Sequence, residues 1–291
     1  MKQNKNSLID KIIDISLRED GIRNDITTCA LGLDRILAKG VCISKSNFVL
    51  AGLPVVKKIF KKVDRQIKVK ELKKDGDFVK KGEEIFYAVG KASSLLKCER
   101  TVLNFLQNLS GIATESRKIS KLSKNIFGTR KTTPGMRLLQ KYALVVGGVN
   151  PHRYSLSDGI LIKDNHIVCS GGVKNAICKV KSAIKNKTIK RLPIEIEISK
   201  INDIEEAIRE GADIILLDNM DIKTLKKSVR IIREMENKFK KKIIVEASGK
   251  ITPKNIKPIL KTGVDRVSCG YLTHSITSPD ISFEIKVLNN D

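Results

Sequence analysis

Residues 128–137 read GTRKTTPGMR and set Arg130, Lys131 and Arg137 around a Pro-Gly turn with no acidic residue among them. Unpaired charge is expensive to bury, so such a cluster faces water or an anion. Residues 194–198 read IEIEI. A strand has a side-chain period of two, so the three isoleucines share one face and Glu195 and Glu197 share the other. If the isoleucines pack on helices, both carboxylates point inward. There they either neutralise nearby lysines and arginines, or one of them joins Asp218 in facing a hydrated Mg²⁺, an ion that takes one or two carboxylates together with substrate phosphate oxygens. Two glycine-containing stretches, EASGKIT and SCGYLTHS, each follow an apolar run. Loops of that kind bind phosphate through backbone N–H groups.

The three histidines, His152, His166 and His274, fall among these same stretches. Together they could bind a metal, but carboxylates beside phosphate loops favour Mg²⁺, and His166 reads as an ordinary polar residue. His152-Arg153 follows a Gly-Gly turn and suits a second anion-binding corner. The arginines carry further information: five of the fourteen lie between residues 100 and 153. Arginine suits bidentate recognition of carboxylate or phosphate better than lysine does.

Parallel strands alternating with helices would bring these residues together. From about residue 126 the sequence gives candidate strands NIFGTR, DGILIK, PIEIEI, ADIILLD, KIIVEAS and DRVSCG, separated by amphipathic runs such as GVKNAICKVKSAIK and KTLKKSVRIIREMEN. Six βα units imply a parallel sheet, either a closed or nearly closed βα barrel or an open doubly wound sheet. In a barrel, the residues at the strand C-termini build the site. Those positions hold Arg130 and Lys131, then Lys163 with Asp164, Asn165 and His166, then Glu195 and Glu197, Asp218 and Asn219, Ser248 and Gly249, and Gly270 followed by His274.

Residues 1–115 lack this rhythm. Strand-like LAKGVCISKS, QIKVKELK and EIFYAVG with long helical runs suggest an α+β domain on an antiparallel sheet. The barrel domain then spans 116–275, and the alternating DISFEIKVL within 276–291 could return to the first domain. DGDFVKKGEEIFYAVG reads as a plain hairpin rather than a carrier-lysine turn.

Composition narrows the partners. The net charge is +24, but lysine (42) outnumbers arginine (14) and is scattered in short runs, tryptophan is absent and aromatics are 4%. Stacking platforms for nucleic acid are therefore scarce, and nucleic acid is not the expected partner. No stretch of about 18 apolar residues suggests a membrane span and no signal sequence is evident, so a soluble cytoplasmic protein is expected. The six cysteines show no C-x-x-C spacing and read as reduced fillers.

Taken together, the stretches SLREDGIRNDITT, AGLPVVKKIF, DGDFVKKGEEI, ERTVLNFLQNLSGIAT, TRKTTPGMRLLQKYA, GGVNPHRYSLSDGILIKDNH, IEIEI, ADIILLDNM, EASGKIT and GVDRVSCGYLTHS resemble the quinolinate phosphoribosyltransferase family over nearly the whole chain. The resemblance implies an N-terminal α/β sandwich domain and a C-terminal open βα barrel. It also implies a homodimer, or a larger assembly built on it, in which Arg100 reaches the partner's site. The implied reaction is Mg²⁺-dependent transfer of phosphoribosyl from phosphoribosyl pyrophosphate to quinolinate with decarboxylation, without an organic cofactor.

Carried over by motif, Arg100, Arg130, His152, Arg153 and Lys163 would surround quinolinate, and Lys131 would lie between the two substrates. Glu197 and Asp218 would face the ribose hydroxyls and Mg²⁺-pyrophosphate, while Ser248, Gly249, Gly270 and His274 would hold the 5′-phosphate. The chain departs from the family pattern at Gly128, where Asp is usual, at Pro151 before His152, at Asn24 in place of Gly, and at Lys250, where a small residue is common. A molybdenum-associated paralogue of the same fold is disfavoured by LIKDNH and TRKTTPG, and a nicotinate phosphoribosyltransferase by its different motifs.

Overall fold

The computed structural model describes residues 2–288, with side chains from Ser7 onward. Two units are distinguished. One takes in the chain up to Lys118, Thr132–Gly148 and the chain from Leu272 onward; the other is Ile119–Lys131 with Val149–Tyr271.

In the first unit, strands β1 (Leu37–Ser44), β2 (Phe48–Val49), β3 (Lys68–Glu71), β4 (Phe78–Val79) and β5 (Glu84–Lys91) precede the 29-residue helix Ala92–Ser120. The main sheet is antiparallel. β1 pairs with β5 on one side and with the C-terminal strand Ile281–Val287 on the other, while β3 pairs with the far edge of β5. Phe60, Phe86 and Phe283 meet with ring centroids 6.1 Å apart in each pair. The Phe283 ring lies over Gly40, where an added Cβ would sit 2.1 Å from Cζ. Helix Leu53–Val63 starts where the backbone N–H groups of Gly52 and Leu53 donate to the Asp75 carboxylate at 2.9 and 3.1 Å. Phe78-Val79 does not form the expected hairpin with β5. β4 pairs instead with β2, and Gly82 at φ 88 turns the chain between β4 and β5.

Helix Arg137–Val146 falls within the 116–275 expected for the barrel domain, but it groups with this unit rather than with the barrel. Its contacts explain why. Tyr142 donates its hydroxyl to Asp75 at 2.5 Å, Arg117 Nη2 donates to the Val146 carbonyl at 3.0 Å, and Gly147 leaves room for the backbone of Ala113, whose oxygen would lie 2.5 Å from an added Cβ.

The second unit is built on seven strands: β6 (Ile126–Gly128), β7 (Asn150–Pro151), β8 (Ile160–Ile162), β9 (Ile194–Ile198), β10 (Ile214–Asp218), β11 (Ile244–Ser248) and β12 (Arg266–Cys269). Their order is β7-β6-β12-β11-β10-β9-β8 and every pairing is parallel, so all the C-terminal ends point the same way. Edge strands β7 and β8 do not pair with each other among the described residues, so the curled sheet is an open barrel. Strand β7 is absent from the six strands expected from sequence. It is two residues long, and its proline lacks a backbone N–H, so no periodicity announces it.

The helices of this unit follow amphipathic spacing. Asp203–Glu210 buries Ile204, Ala207 and Ile208, and Ile222–Phe239 buries Leu225, Ser228, Val229 and Ile232. The latter begins where the Asp221 carboxylate accepts from Thr224 N at 2.7 Å. Ile194, Ile196 and Ile198 are buried on the helix side, which turns Glu195 and Glu197 inward. No described helix is long and apolar enough to cross a membrane.

Gly40 gives a direct stability test. Gly40→Ala should force the Phe283 ring aside and lower stability by about 1–3 kcal/mol, the usual cost of overpacking a filled core. The thermal midpoint followed by circular dichroism should fall; an unchanged midpoint would mean that the ring is loosely held.

Candidate active site

The C-terminal ends of the barrel strands enclose a cavity of about 530 Å³. Its lining includes Arg130, Lys131, His152, Arg153, Lys163, Glu197, Asp218, Ser248 and Gly249, together with Asn219, Lys250, Glu246, Ser268 and the apolar Leu161 and Leu216. Gly270 follows β12 and does not line this cavity. Arg100 and His274 belong to the other unit. Arg100 is exposed on helix Ala92–Ser120, and His274 Nδ1 lies 2.6 Å from Ser275 Oγ.

One wall is cationic. Arg130 and Lys131 continue β6, and the Lys131 backbone N–H donates to Thr129 Oγ1 at 3.1 Å. His152 and Arg153 follow β7, where the His152 N–H donates to the Gly128 carbonyl at 3.1 Å. Arg153 Nη1 donates to the Gly159 carbonyl at 3.1 Å. Burial and the neighbouring charge of Arg130 lower the Arg153 pKa, although Glu195 and Asp158 oppose them. Two guanidiniums crowded in this way gain from an anion placed between them.

Opposite stand the carboxylates. Glu197 is partly buried, and its Oε2 accepts from Lys163 Nζ at 2.8 Å. Lys163 precedes helix Asp164–Ser170 and its backbone N–H donates to His166 Nδ1 at 2.9 Å, so His166 serves as a helix cap. Asp218 ends β10, and its Oδ2 accepts from Asn219 Nδ2 at 2.6 Å. The next loop is tightly joined to this one. Asn219 N donates to the Ser248 carbonyl at 3.0 Å, and a Cβ at Gly249 would lie 2.7 Å from Asn219 N. Gly249 has φ 89, and its neighbours Asn219 and Lys250 have φ 54 and 48, so three left-handed residues shape this end of the cavity. Asn255 Nδ2 donates to the Lys250 carbonyl at 3.0 Å and holds the turn.

At the floor of the cavity lies a charge cluster in which sequence reading missed Glu246, Arg266 and Ser268. Arg266 hydrogen-bonds through Nε to the completely buried Glu246, and its Nη2 lies 3.2 Å from Glu195 Oε1. Ser268 donates its hydroxyl to Glu246. His152 Nε2 lies 3.6 Å from an oxygen of each carboxylate. Burial works against a charged His152 ring, but hydrogen bonding to Glu195 and Glu246 and their charges outweigh it and push the pKa up to about 9. Burial also works to raise the Glu246 pKa, but the His152 hydrogen bond, the charges of Arg266 and His152 and the Ser268 hydroxyl hold it below its ordinary value.

The Arg153 backbone N–H points at His152 Nδ1 at 2.9 Å, a contact suited to the neutral ring. At Nε2, by contrast, two buried carboxylates favour the charged ring. The period-two rule that placed Glu195 also puts Glu246 on the inward face of β11, in register with Arg266 on β12. Glu195 thus takes the neutralising role, and Glu197 is the carboxylate that faces the cavity.

The quinolinate phosphoribosyl transferase N-terminal domain matches residues 25–110, and the C-terminal domain of the same family matches residues 112–284. The chain belongs to the quinolinate phosphoribosyltransferase family. A probable nicotinate-nucleotide pyrophosphorylase [carboxylating] of Methanocaldococcus jannaschii is 40% identical over 94% of this chain and 96% of its own length, and one of Bacillus subtilis is 39% identical over 91% of each. The crystal structure of NadC from Streptococcus pyogenes superposes with a TM-score of 0.86 at 36% identity, covering 97% of each chain.

The departures from the quinolinate phosphoribosyltransferase pattern sit compatibly in the fold. Gly128 is buried at the end of β6, Pro151 pairs with it on β7, and Asn24 closes a single turn by donating its backbone N–H to Gly21 at 2.9 Å. Arg266 is the cation on which the buried cluster depends. Arg266→Ala should cost about 3–5 kcal/mol by leaving buried carboxylates short of a counter-charge. Urea unfolding measures this directly, and a loss under about 1 kcal/mol would place the cluster among ion pairs that contribute little.

Proposed function

We propose that this chain transfers the phosphoribosyl group of phosphoribosyl pyrophosphate to quinolinate with loss of CO₂, giving nicotinate mononucleotide and pyrophosphate. One observation carries this reading above the rest. Arg130, His152, Arg153 and Lys163 line the same cavity as Glu197 and Asp218, at the strand ends of an open barrel of this family. A cationic wall suits a dicarboxylate, and the carboxylates suit ribose hydroxyls and a hydrated cation.

Arg130, Arg153 and His152 hold the two carboxylates of quinolinate and aim its ring nitrogen at C1 of the ribose. Glu197 and Asp218 accept from the ribose hydroxyls, and Lys131 lies between the two substrates. The backbone amides near Ser248, Gly249 and Gly270 receive the 5′-phosphate, a role in which the resemblance also includes His274. As pyrophosphate leaves C1, positive charge builds on the ribose and negative charge on the leaving group, where lysine ammonium groups stabilise it. The pyridine nitrogen forms the new bond to C1 and becomes a pyridinium. That pyridinium stabilises the carbanion left on the adjacent ring carbon when its carboxylate departs as CO₂, so no organic cofactor is needed. A proton from the Nζ of Lys131 or Lys163 completes the product.

The donor set fits Mg²⁺: hard oxygen ligands from Glu197 and Asp218, both facing the cavity. Lys163 already occupies Glu197 Oε2, which leaves room for a cation carried mainly by pyrophosphate. Bound there, Mg²⁺ would neutralise charge on the leaving group.

Incubation with quinolinate, phosphoribosyl pyrophosphate and Mg²⁺ should release CO₂ and nicotinate mononucleotide in equal amounts. No product, beside an active control enzyme, would overturn the reading. Arg130→Ala should raise the KM for quinolinate by about 10–100-fold, the loss of a charge-assisted pair of roughly 1.5–3 kcal/mol. Lys163→Ala should lower kcat by about 10²-fold or more, as removal of a group that stabilises developing charge does.

We further propose a homodimer in which Arg100, exposed on its helix, completes the partner's site. Mixing inactive Arg100→Ala and Lys131→Ala proteins should then restore activity, because one of the two sites in each mixed dimer is intact. If mixed dimers form without regaining turnover, Arg100 acts in its own chain or not at all.

A further inference from the structure

The cluster at the cavity floor has a charge count that the reaction alone does not explain. Glu195 and Glu246 are 5% and 0% exposed, and one guanidinium, Arg266, serves both. Two carboxylates against one cation leave a buried negative charge, a costly state unless a second cation cancels it. His152 Nε2 is the group placed to do so, 3.6 Å from an oxygen of each. Glu195 Oε1 is buried without a well-formed hydrogen bond, so it depends on the ring 3.6 Å away and the guanidinium 3.2 Å away. Phe127 braces both cations: the His152 ring meets it edge-on at 6.2 Å, and the Arg266 guanidinium lies over it at 5.3 Å.

Arg153 follows His152 in sequence and feels the charge of Arg130, so a cationic wall adjoins the ring. A third cation beside two arginines needs support from behind. The same three side chains, His152, Glu195 and Glu246, have ligand atoms within 4.8 Å of one another, as a metal site would. Arg266 already occupies both carboxylates, however, and with a charged His152 it supplies the two positive charges that a divalent ion would bring.

We propose that Glu246, Arg266 and Ser268 form a positioning set that fixes His152 as a charged ring facing the substrate dicarboxylate, and so sets affinity for quinolinate from the cavity floor. The inference rests on the proposed reaction, since it takes the ligand of His152 to be that dicarboxylate. Glu246 is set in the cavity lining but has no accessible surface, so it acts through His152 rather than by touching substrate. The raised His152 pKa, about 9, agrees with this geometry. The charged groups set against the ring are Glu195 from β9 and Glu246 from β11, with Arg266 from β12 on both carboxylates and Arg153 next in sequence.

The test is Glu246→Gln, which keeps the shape of the side chain and removes its charge. Steady-state kinetics should show the KM for quinolinate raised tenfold or more, the KM for phosphoribosyl pyrophosphate changed by less than twofold, and kcat changed by less than threefold. Nitrogen NMR of histidine-labelled protein reads the ring directly. With only three histidines in the chain, variants of His166 and His274 assign the signals. At pH 7.5 both nitrogens of His152 should be protonated in the native protein and only one in the Glu246→Gln protein. If that variant does not fold, Ser268→Ala, which removes only the hydroxyl that donates to Glu246, should shift the quinolinate KM in the same direction by a smaller factor.

A neutral His152 in the native protein overturns the proposal. So does a rise in both KM values together, or tightly held metal that is lost on Glu246→Gln. Absence of turnover in the native protein would instead defeat the assigned reaction, leaving the NMR result to judge the state of His152.

Discussion

Charge placed inside a barrel must be compensated there, and that constraint governs how this chain builds its second unit. A parallel strand with isoleucines on its helix face has its alternate residues committed to the interior. At Glu195 and Glu246 those residues are acidic. Arg266, in register with Glu246 across the β11–β12 pairing, is the cation nearest to hand. Once it is spent on two carboxylates, His152 is drawn in as the second. His152 in turn hangs from the short pairing of β7 with β6, through its backbone N–H to Gly128.

The same constraint separates the two glutamates of IEIEI. They share a face by periodicity, and one layer of depth decides between them. Glu195 is enclosed with Arg266 and His152, whereas Glu197 keeps contact with the cavity and with Lys163. Depth is not a local property. It depends on how far each strand rises toward the open end, which is set by pairing with β10, where Glu195 is level with Ile214 and Glu197 with Leu216.

Much of the barrel is legible in the sequence for physical reasons. β9 and β10 announce themselves by apolar periodicity, and the residues at their ends follow from the rule that strand C-termini carry the site. Arg130, Lys131, Lys163 and Asp218 are therefore readable as cavity residues from sequence alone, and they line one cavity. The residues that sequence does not reveal have no local signature. Glu246 sits in a run that looks like a phosphate loop, and Arg266 looks like an ordinary charge at the start of a strand. β7 is too short to show a period, and the grouping of helix Arg137–Val146 depends on Tyr142 finding Asp75, 67 residues away in sequence. Choosing Glu197 over Glu195 rests on family resemblance, because a period of two treats them alike.

The far end of the cavity shows the opposite economy, with backbone rather than side chains shaping the space. Asn219, Gly249 and Lys250 all have positive φ, and Asn219 and Lys250 carry a Cβ that disfavours this region. Such conformations persist where surrounding contacts over-determine them. Here the Asn219 N–H bond to Ser248, the Asn219 amide on Asp218 and the Asn255 amide on Lys250 do so, and the missing Cβ of Gly249 lets the two loops touch. The consequence is a division of labour across one cavity. The wall around His152 is tuned by buried charge, which a substitution can alter in strength. The wall around Gly249 is fixed by backbone shape, where any side chain at that position would collide with Asn219. The first wall can therefore change by degrees, while the shape of the second is nearly all or none.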